Sequence, residues 1–164
     1  MIQIVNATPD DVITIRQMAE KTWWPTYSEI VTSEQIRYML DTIYDEESLK
    51  KAMKDGSQEF ILIGNGTGYQ GFASFGRRKD DPGIFKLHKL YVLPGNQGKG
   101  YGIALIEEIK QRLIRQNIRI LDLNVNRNNK AKVFYEKAGF RVIREEDIAI
   151  GPYWMNDYVM RLEF

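Results

Sequence analysis

The chain has 164 residues, 43% hydrophobic and 27% charged, with 23 Lys and Arg against 22 Asp and Glu for a net charge of +1. That length supports one folded domain, residues 1–164, and the balanced charge excludes a disordered polyelectrolyte and offers no concentrated positive patch for nucleic acid. The absence of cysteine removes disulfides, thiolate metal sites and a cysteine nucleophile, and no metal is expected.

The opening MIQIVNATPDD lacks the basic start and apolar core of a leader, and no segment approaches ~20 uninterrupted apolar residues, so a soluble cytoplasmic protein with no membrane partner is expected. IQIVNA alternates as a strand. Thr8 then offers a helix N-cap with Pro9 at the first helical position and Asp11 as an acid of the first turn, which predicts a helix to about Lys21. TSEQIRYMLDTI and DEESLKKAMKDG read as two further helices, the second capped by Asp45 and stopped by Gly56. From Glu59 the period changes to two: EFILIGN and GYQGFASFGRR are strands joined by a tight turn at Asn65–Gly66, and IFKLHKLYVL is a third. Apolar residues at Ile103, Ile106, Ile109 and Leu113 predict an amphipathic helix over Tyr101–Gln116. IRILDLNV, a short helix in NNKAKVFYEKAG ending at Gly139, and the strands FRVIREEDIAI and YWMNDYVMRLEF complete the chain. The order implies an α/β fold with a mixed sheet.

Between the third strand and the amphipathic helix lies LPGNQGKGYG. A strand that passes through glycines into a helix presents backbone N–H groups at the positive end of the helix dipole, where a phosphate fits and Lys99 adds charge. Neither frame of the loop completes a GxGxxG or GxGxxA fingerprint, and GNQGKG breaks the spacing and the ending of a nucleotide P-loop. The segment does match QxxGxG, as Gln97, Gly100 and Gly102, and NNKAKVFYEKAGF supplies Asn128, Ala131, Tyr135, Gly139 and Phe140. With these two motifs the chain resembles the GNAT acetyltransferase superfamily over nearly its whole length.

The resemblance implies a seven-stranded, mostly antiparallel sheet with a central parallel pair, at Tyr91 and Leu123, that splays apart, flanked by four to five helices. It implies acetyl-CoA as cosubstrate, with the pantetheine arm along the backbone of Leu90, Tyr91 and Val92, and the diphosphate wrapped by Gln97, Gly98, Lys99, Gly100, Tyr101 and Gly102. Asn128 is expected at the pantetheine amides. Lys130 is a candidate for the coenzyme phosphates, against the alternative of a solvated helix face. Acetyl transfer to an amine is expected within a ternary complex, with the thioester carbonyl polarised by a backbone N–H near Val92. Tyr135 matches the family's acid for the departing thiolate; the alternative is a tyrosine that packs a short helix on the sheet. His88, the only histidine, falls on the face of Val92 if the period of two holds, and either relays the amine's proton or is a strand histidine satisfied by a neighbour.

The acceptor is expected to be the primary amine of a small molecule. TWWPTYSEI places Trp23, Tyr27 and Glu29 close together, and YDEES adds Asp45, Glu46 and Glu47; aromatic faces and carboxylates suit a polyamine. The alternatives are that the tryptophans are core and that the acids favour a helix start. The lead-in and KLHKLYVLPGNQGKG are similar to the PaiA-type polyamine acetyltransferases. A protein N-terminal acetyltransferase and a non-catalytic CoA-binding module are the competing functions. Tyr153 and Trp154 are assigned either to an amine pocket or to the surface of a homodimer.

Overall fold

The computed structural model describes residues 1–164. The elements are β1 (Gln3–Asn6), a 3-10 turn (Pro9–Asp11), α1 (Val12–Tyr27), α2 (Ser33–Ile43), α3 (Glu46–Lys54), β2 (Glu59–Gly64), β3 (Tyr69–Arg77), β4 (Phe85–Val92), α4 (Tyr101–Ile114), β5 (Ile120–Asn126), α5 (Ala131–Lys137), β6 (Arg141–Ile150) and β7 (Tyr153–Glu163). The strands form one seven-stranded sheet in the order β1-β2-β3-β4-β5-β7-β6, antiparallel except for the pair β4 and β5. This is the α/β mixed sheet that the element order implied.

Because both faces of the sheet are covered, the alternating side chains of a central strand enter two different cores. From β2, Ile61 and Ile63 join Phe75, Leu87, Leu105, Ile109 and Leu123 beneath α4 and α5. Phe60 and Leu62 join Ile15, Trp23, Ile36, Leu40 and Phe72 beneath α1, α2 and α3. Thr32 and Asp45 cap α2 and α3 by accepting from the amides of Gln35 and Ser48. One boundary departs from expectation: α1 continues past Lys21 and through Pro25 to Tyr27. Proline removes one helical hydrogen bond, but Trp23 and Tyr27 continue the buried stripe of Ile15 and Ala19, so burial of two aromatic rings outweighs the lost bond.

The central parallel pair is short. Phe85, Lys86 and Leu87 pair with Leu121, Asp122 and Leu123, and beyond them β4 and β5 part. At the closed end Asp122, 2% exposed, accepts from Arg161 at 2.7 and 2.9 Å and from Arg78 at 2.9 Å. At the opening, Ser74 pairs with Lys89 and Phe75 with Leu87, so His88 is the extra residue of a β-bulge. A bulge bends its strand and increases its twist, and this one lies where the pairing with β5 stops. It also corrects the period-of-two expectation. Phe85 and Leu87 pack under α4, as do Leu90 and Val92, while Tyr91 faces the other core; the alternation is reset at His88, which therefore cannot be assigned the face of Val92.

The turn between β6 and β7 docks on α2. Gln35 Nε2 donates to the Trp154 carbonyl at 2.9 Å, and the Tyr38 and Tyr153 rings lie 5.3 Å apart. Gly151 has φ +57°, and a Cβ there would meet the Tyr38 hydroxyl at 1.9 Å, so only glycine fits.

Candidate active site

The loop from Leu93 to Gly100 joins the open end of β4 to α4. Its base is fixed by Asn96, whose amide N–H donates to the Leu93 carbonyl and whose side chain donates to Gln70 Oε1 at 2.7 Å. From Gln97 through Ile103 no backbone amide has a hydrogen-bond acceptor in the protein; the first to be satisfied is Ala104, by the Gly100 carbonyl. Gly98 and Gly100 have φ of +79° and +86°, and nothing lies within 4 Å of where a Cβ would stand on either. A row of free amides around open space at a helix N-terminus is an anion cradle. Lys99 reaches only Asn96 Oδ1, at 3.3 Å, and Gln97 turns back toward the Val92 carbonyl at 3.4 Å. Gly102 has a different reason to be glycine: a Cβ there would lie 2.8 Å from Cζ of Phe134, so it permits α4 to pack against α5.

Behind the loop, side chains from the two cores meet through the gap in the sheet. Tyr27 belongs to the core beneath α1 and Tyr135 to the core beneath α5, yet each is close enough for Tyr27 to bear on the ionisation of Tyr135. Burial, and then Tyr27, push the Tyr135 hydroxyl well above its ordinary value, so it is protonated at neutral pH. Its ring is fixed edge-on against Phe134 and Phe140, at 5.3 and 5.6 Å. The Tyr27 hydroxyl is also raised by burial and lies beside Tyr91 and the Asn129 side chain. The Tyr91 ring lies tilted against Phe72 at 5.7 Å and approaches Trp23 at 6.3 Å. The Trp23 indole N–H is buried without an acceptor.

On the face of α1 and α2, the floor beside the gap is polar. Asn124 and Asn126 follow Asp122 on the same face of β5, and Asp157 of β7 is paired with Asn126. Asp157 is 7% exposed. Asn124 Nδ2 donates to Asp157 Oδ2 at 3.3 Å and to Glu146 Oε1 at 3.2 Å. Burial raises the Asp157 carboxyl above its ordinary range, against the Asn124 bond and the charge of Lys86, which lower it. Lys86 is lowered by burial. Burial, and then the charges of Lys86 and Lys89, lower His88, although its residue keeps a solvent-exposed side.

Of the residues the sequence singles out, Trp23, Tyr27, Tyr91 and Tyr135 gather beside the gap between β4 and β5, and Leu90, Val92 and the loop Gln97–Gly102 continue from the same end of β4. Asn128 and Lys130 are exposed in the turn after β5; the asparagines that shape that turn are Asn126, whose Oδ1 accepts from the Asn128 amide, and Asn129, whose Oδ1 accepts from the Ala131 amide, both at 2.9 Å. Glu29 is exposed just after α1. Glu46 is exposed in the first turn of α3; of the residues just before it, Tyr44 sets its ring edge-on to Trp23 at 6.0 Å while its carbonyl accepts from Arg16 at the start of α1. Asp157 and Asn124 are additions that the structure makes to the site. Their signal in the sequence is a polar residue at an inward position of an alternating strand, Asp157 between Met155 and Val159.

Residues 27–161 match the acetyltransferase (GNAT) domain family. The chain is 36% identical over 84 residues to the uncharacterized N-acetyltransferase Rv2669 of Mycobacterium tuberculosis, a stretch covering 51% of this chain and 53% of that relative, so the chain spans about half the relative's length. It is 24% identical to the uncharacterized N-acetyltransferase YuaI of Bacillus subtilis over 92% of this chain and 86% of the relative. In fold it is similar to the PaiA N-acetyltransferase of Thermoplasma acidophilum in complex with coenzyme A, with a TM-score of 0.84 at 24% identity over 100% of this chain and 99% of that one. It is also similar to the ribosomal-protein-S18-alanine N-acetyltransferase of Escherichia coli, with a TM-score of 0.71 at 17% identity over 99% and 94%.

Proposed function

The chain belongs to the GNAT acetyltransferase family, and from that premise we propose that it moves the acetyl group of acetyl-CoA directly to a primary amine of a small cationic molecule, a polyamine being the favoured class. The observation that carries the donor half is the continuity of two unpaired backbone stretches. The β4 edge freed beyond Leu87 leads into the amides of Gln97–Ile103, which have no acceptor. The first suits an extended arm bearing amides, and the second suits a diphosphate.

The thioester supplies an activated acyl group. In the proposed mechanism the loop amides and Lys99 hold the phosphates, and the edge at Leu90–Val92 aligns the arm. The Val92 N–H donates to the acyl oxygen as negative charge develops there. Tyr135, kept protonated by burial, donates to the departing sulfur. With no cysteine in the chain, the amine attacks without a cysteinyl intermediate.

The acceptor half rests on the other face. Asp157 and Glu146 stand together beneath the Asn124 amide and suit a cationic acceptor. The contacts of Gln35 with Trp154 and of Tyr38 with Tyr153 pin the β6–β7 hairpin to α2, and we read that fixed hairpin as favouring a compact acceptor over an extended peptide. The likeness in fold to a PaiA N-acetyltransferase accords with this choice. Initial rates of thiol release from acetyl-CoA, with spermidine, spermine, alkyl monoamines and short peptides as acceptors, test it. Polyamines are expected to be the fastest. Faster turnover of peptide N-termini would transfer the chain to the protein acetyltransferases, and saturable acetyl-CoA binding with no turnover of any amine would make it a binding module.

A further inference from the structure

The geometry points to Asp157 as the group that takes the proton of the acceptor ammonium, with Asn124 positioning it for that transfer; the assignment rests on the amine acetyltransferase reading above. Asp157 is paired with Asn126 on β5, past the last β4–β5 pair at Leu87 and Leu123, which places it beside the gap where an acceptor must approach an acyl group held along β4. Two Asp side chains are buried in the sheet, and they differ in their partners. Asp122 is held by two guanidinium groups, whereas Asp157 forms no ion pair and has only the Asn124 amide at 3.3 Å. A carboxylate left with spare lone pairs in a nearly closed site is not explained by the fold, which would be served as well by an apolar residue.

The groups that face Asp157 come from every neighbouring element: Asn124 on β5, Lys86 on β4, Glu146 on β6, Arg127 after β5 and Tyr27 at the end of α1. Burial disfavours the carboxylate and an arriving ammonium alike, so it brings their proton affinities toward each other. One N–H bond of the ammonium breaks and an O–H bond forms on Asp157, leaving the nitrogen lone pair to form the C–N bond as the C–S bond breaks. Tyr135 protonates the sulfur and recovers a proton from the nitrogen, and Asp157 returns its proton to solvent. The transfer as assigned does not use His88, on which burial, and then the charges of Lys86 and Lys89, oppose a further proton.

Asp157→Asn, His88→Gln and Asn124→Leu are compared with the wild type by the pH dependence of kcat and of kcat/KM for spermidine acetylation, with CoA affinity measured by calorimetry. Asp157→Asn is expected to lower kcat at least ~100-fold, the lower range for loss of a general base, with CoA affinity retained; His88→Gln keeps the acidic limb of the profile where it was. Asn124→Leu removes a bond that favours the carboxylate, so the acidic limb moves upward. Unchanged kcat in Asp157→Asn, or a rise in KM alone with the limb intact, overturns the assignment. Should Asp157→Asn not fold, an unmoved limb in Asn124→Leu overturns it and an upward shift supports it. A wild type that acetylates no amine refutes the function itself, a result separate from active wild type with an indifferent Asp157 variant.

Discussion

Replacing Gly100 by alanine separates what the loop does for the fold from what it does for the ligand. Gly100 is the N-cap of α4 at φ +86°, ψ +3°, a left-handed conformation that costs an L-residue about 1–2 kcal/mol. A Cβ there touches nothing within 4 Å, so no collision is added. For a domain of this size that penalty lowers Tm by roughly 2–8 °C. The effect on CoA is expected to be larger, because the methyl group enters the space around the free amides of Gln97–Ile103. Each charge-assisted bond to phosphate that is displaced costs about 1.5–3 kcal/mol, or roughly 10- to 150-fold in affinity. Calorimetric titration with CoA beside a thermal melt measures both. Gly100→Asn serves as a control, since asparagine tolerates the left-handed region: it should recover Tm but not affinity. Wild-type CoA affinity in Gly100→Ala would refute the placement of the phosphates.

Asp122→Ala leaves Arg78 and Arg161 without their shared carboxylate, and because both guanidinium groups keep access to solvent and Arg78 keeps Asp80, the loss is expected to be about 1.5–3 kcal/mol, read as a lower urea midpoint. Lys89 is 8% exposed, donates to Gln58 Oε1 at 2.7 Å and lies over the Tyr44 and Phe60 rings at 5.6 and 5.4 Å. Burial, and then Lys86, hold it down to about 8. The folded state therefore releases this proton before the unfolded chain does, and wild-type stability gains from this group as pH rises from about 8 toward 10.5. Lys89→Met should abolish that gain, a comparison made by chemical denaturation at both ends of the window. Tyr135→Phe keeps the packing on Phe134 and Phe140 but removes the proton donor, so kcat should fall about 10²–10⁴-fold with CoA affinity little changed; equal turnover would remove Tyr135 from the chemistry.

The donor half is legible in the sequence because its signals are local. A strand, glycines that require positive φ and a helix start are contiguous in LYVLPGNQGKGYG, so the cradle follows from adjacency. The acceptor half depends on tertiary placement. Glu46 is separated from the tryptophans in the chain by all of α2, so where it stands relative to Trp23 and Tyr27 is decided by how α3 docks on α1, not by local pattern. The bulge at His88 leaves no mark in IFKLHKLYVL, since it arises from pairing with β3 at Ser74 and Phe75. Placing Asp157 requires that β7 lie against β5 and that β4 have parted from β5 at that level. LDLNVN does carry a usable sign: Leu121, Leu123 and Val125 alternate with Asp122, Asn124 and Asn126, a central strand with one apolar and one polar face, which is what a strand bordering a cleft requires.

Mass spectrometry of spermidine incubated with acetyl-CoA and the protein, with released thiol counted in the same sample, tests the central claim most directly. The expected result is one acetylated amine for each thiol released, with neither product reduced when a metal chelator is present. Thiol release without acetylated amine, or CoA binding without either product, would contradict acetyl transfer in this cleft.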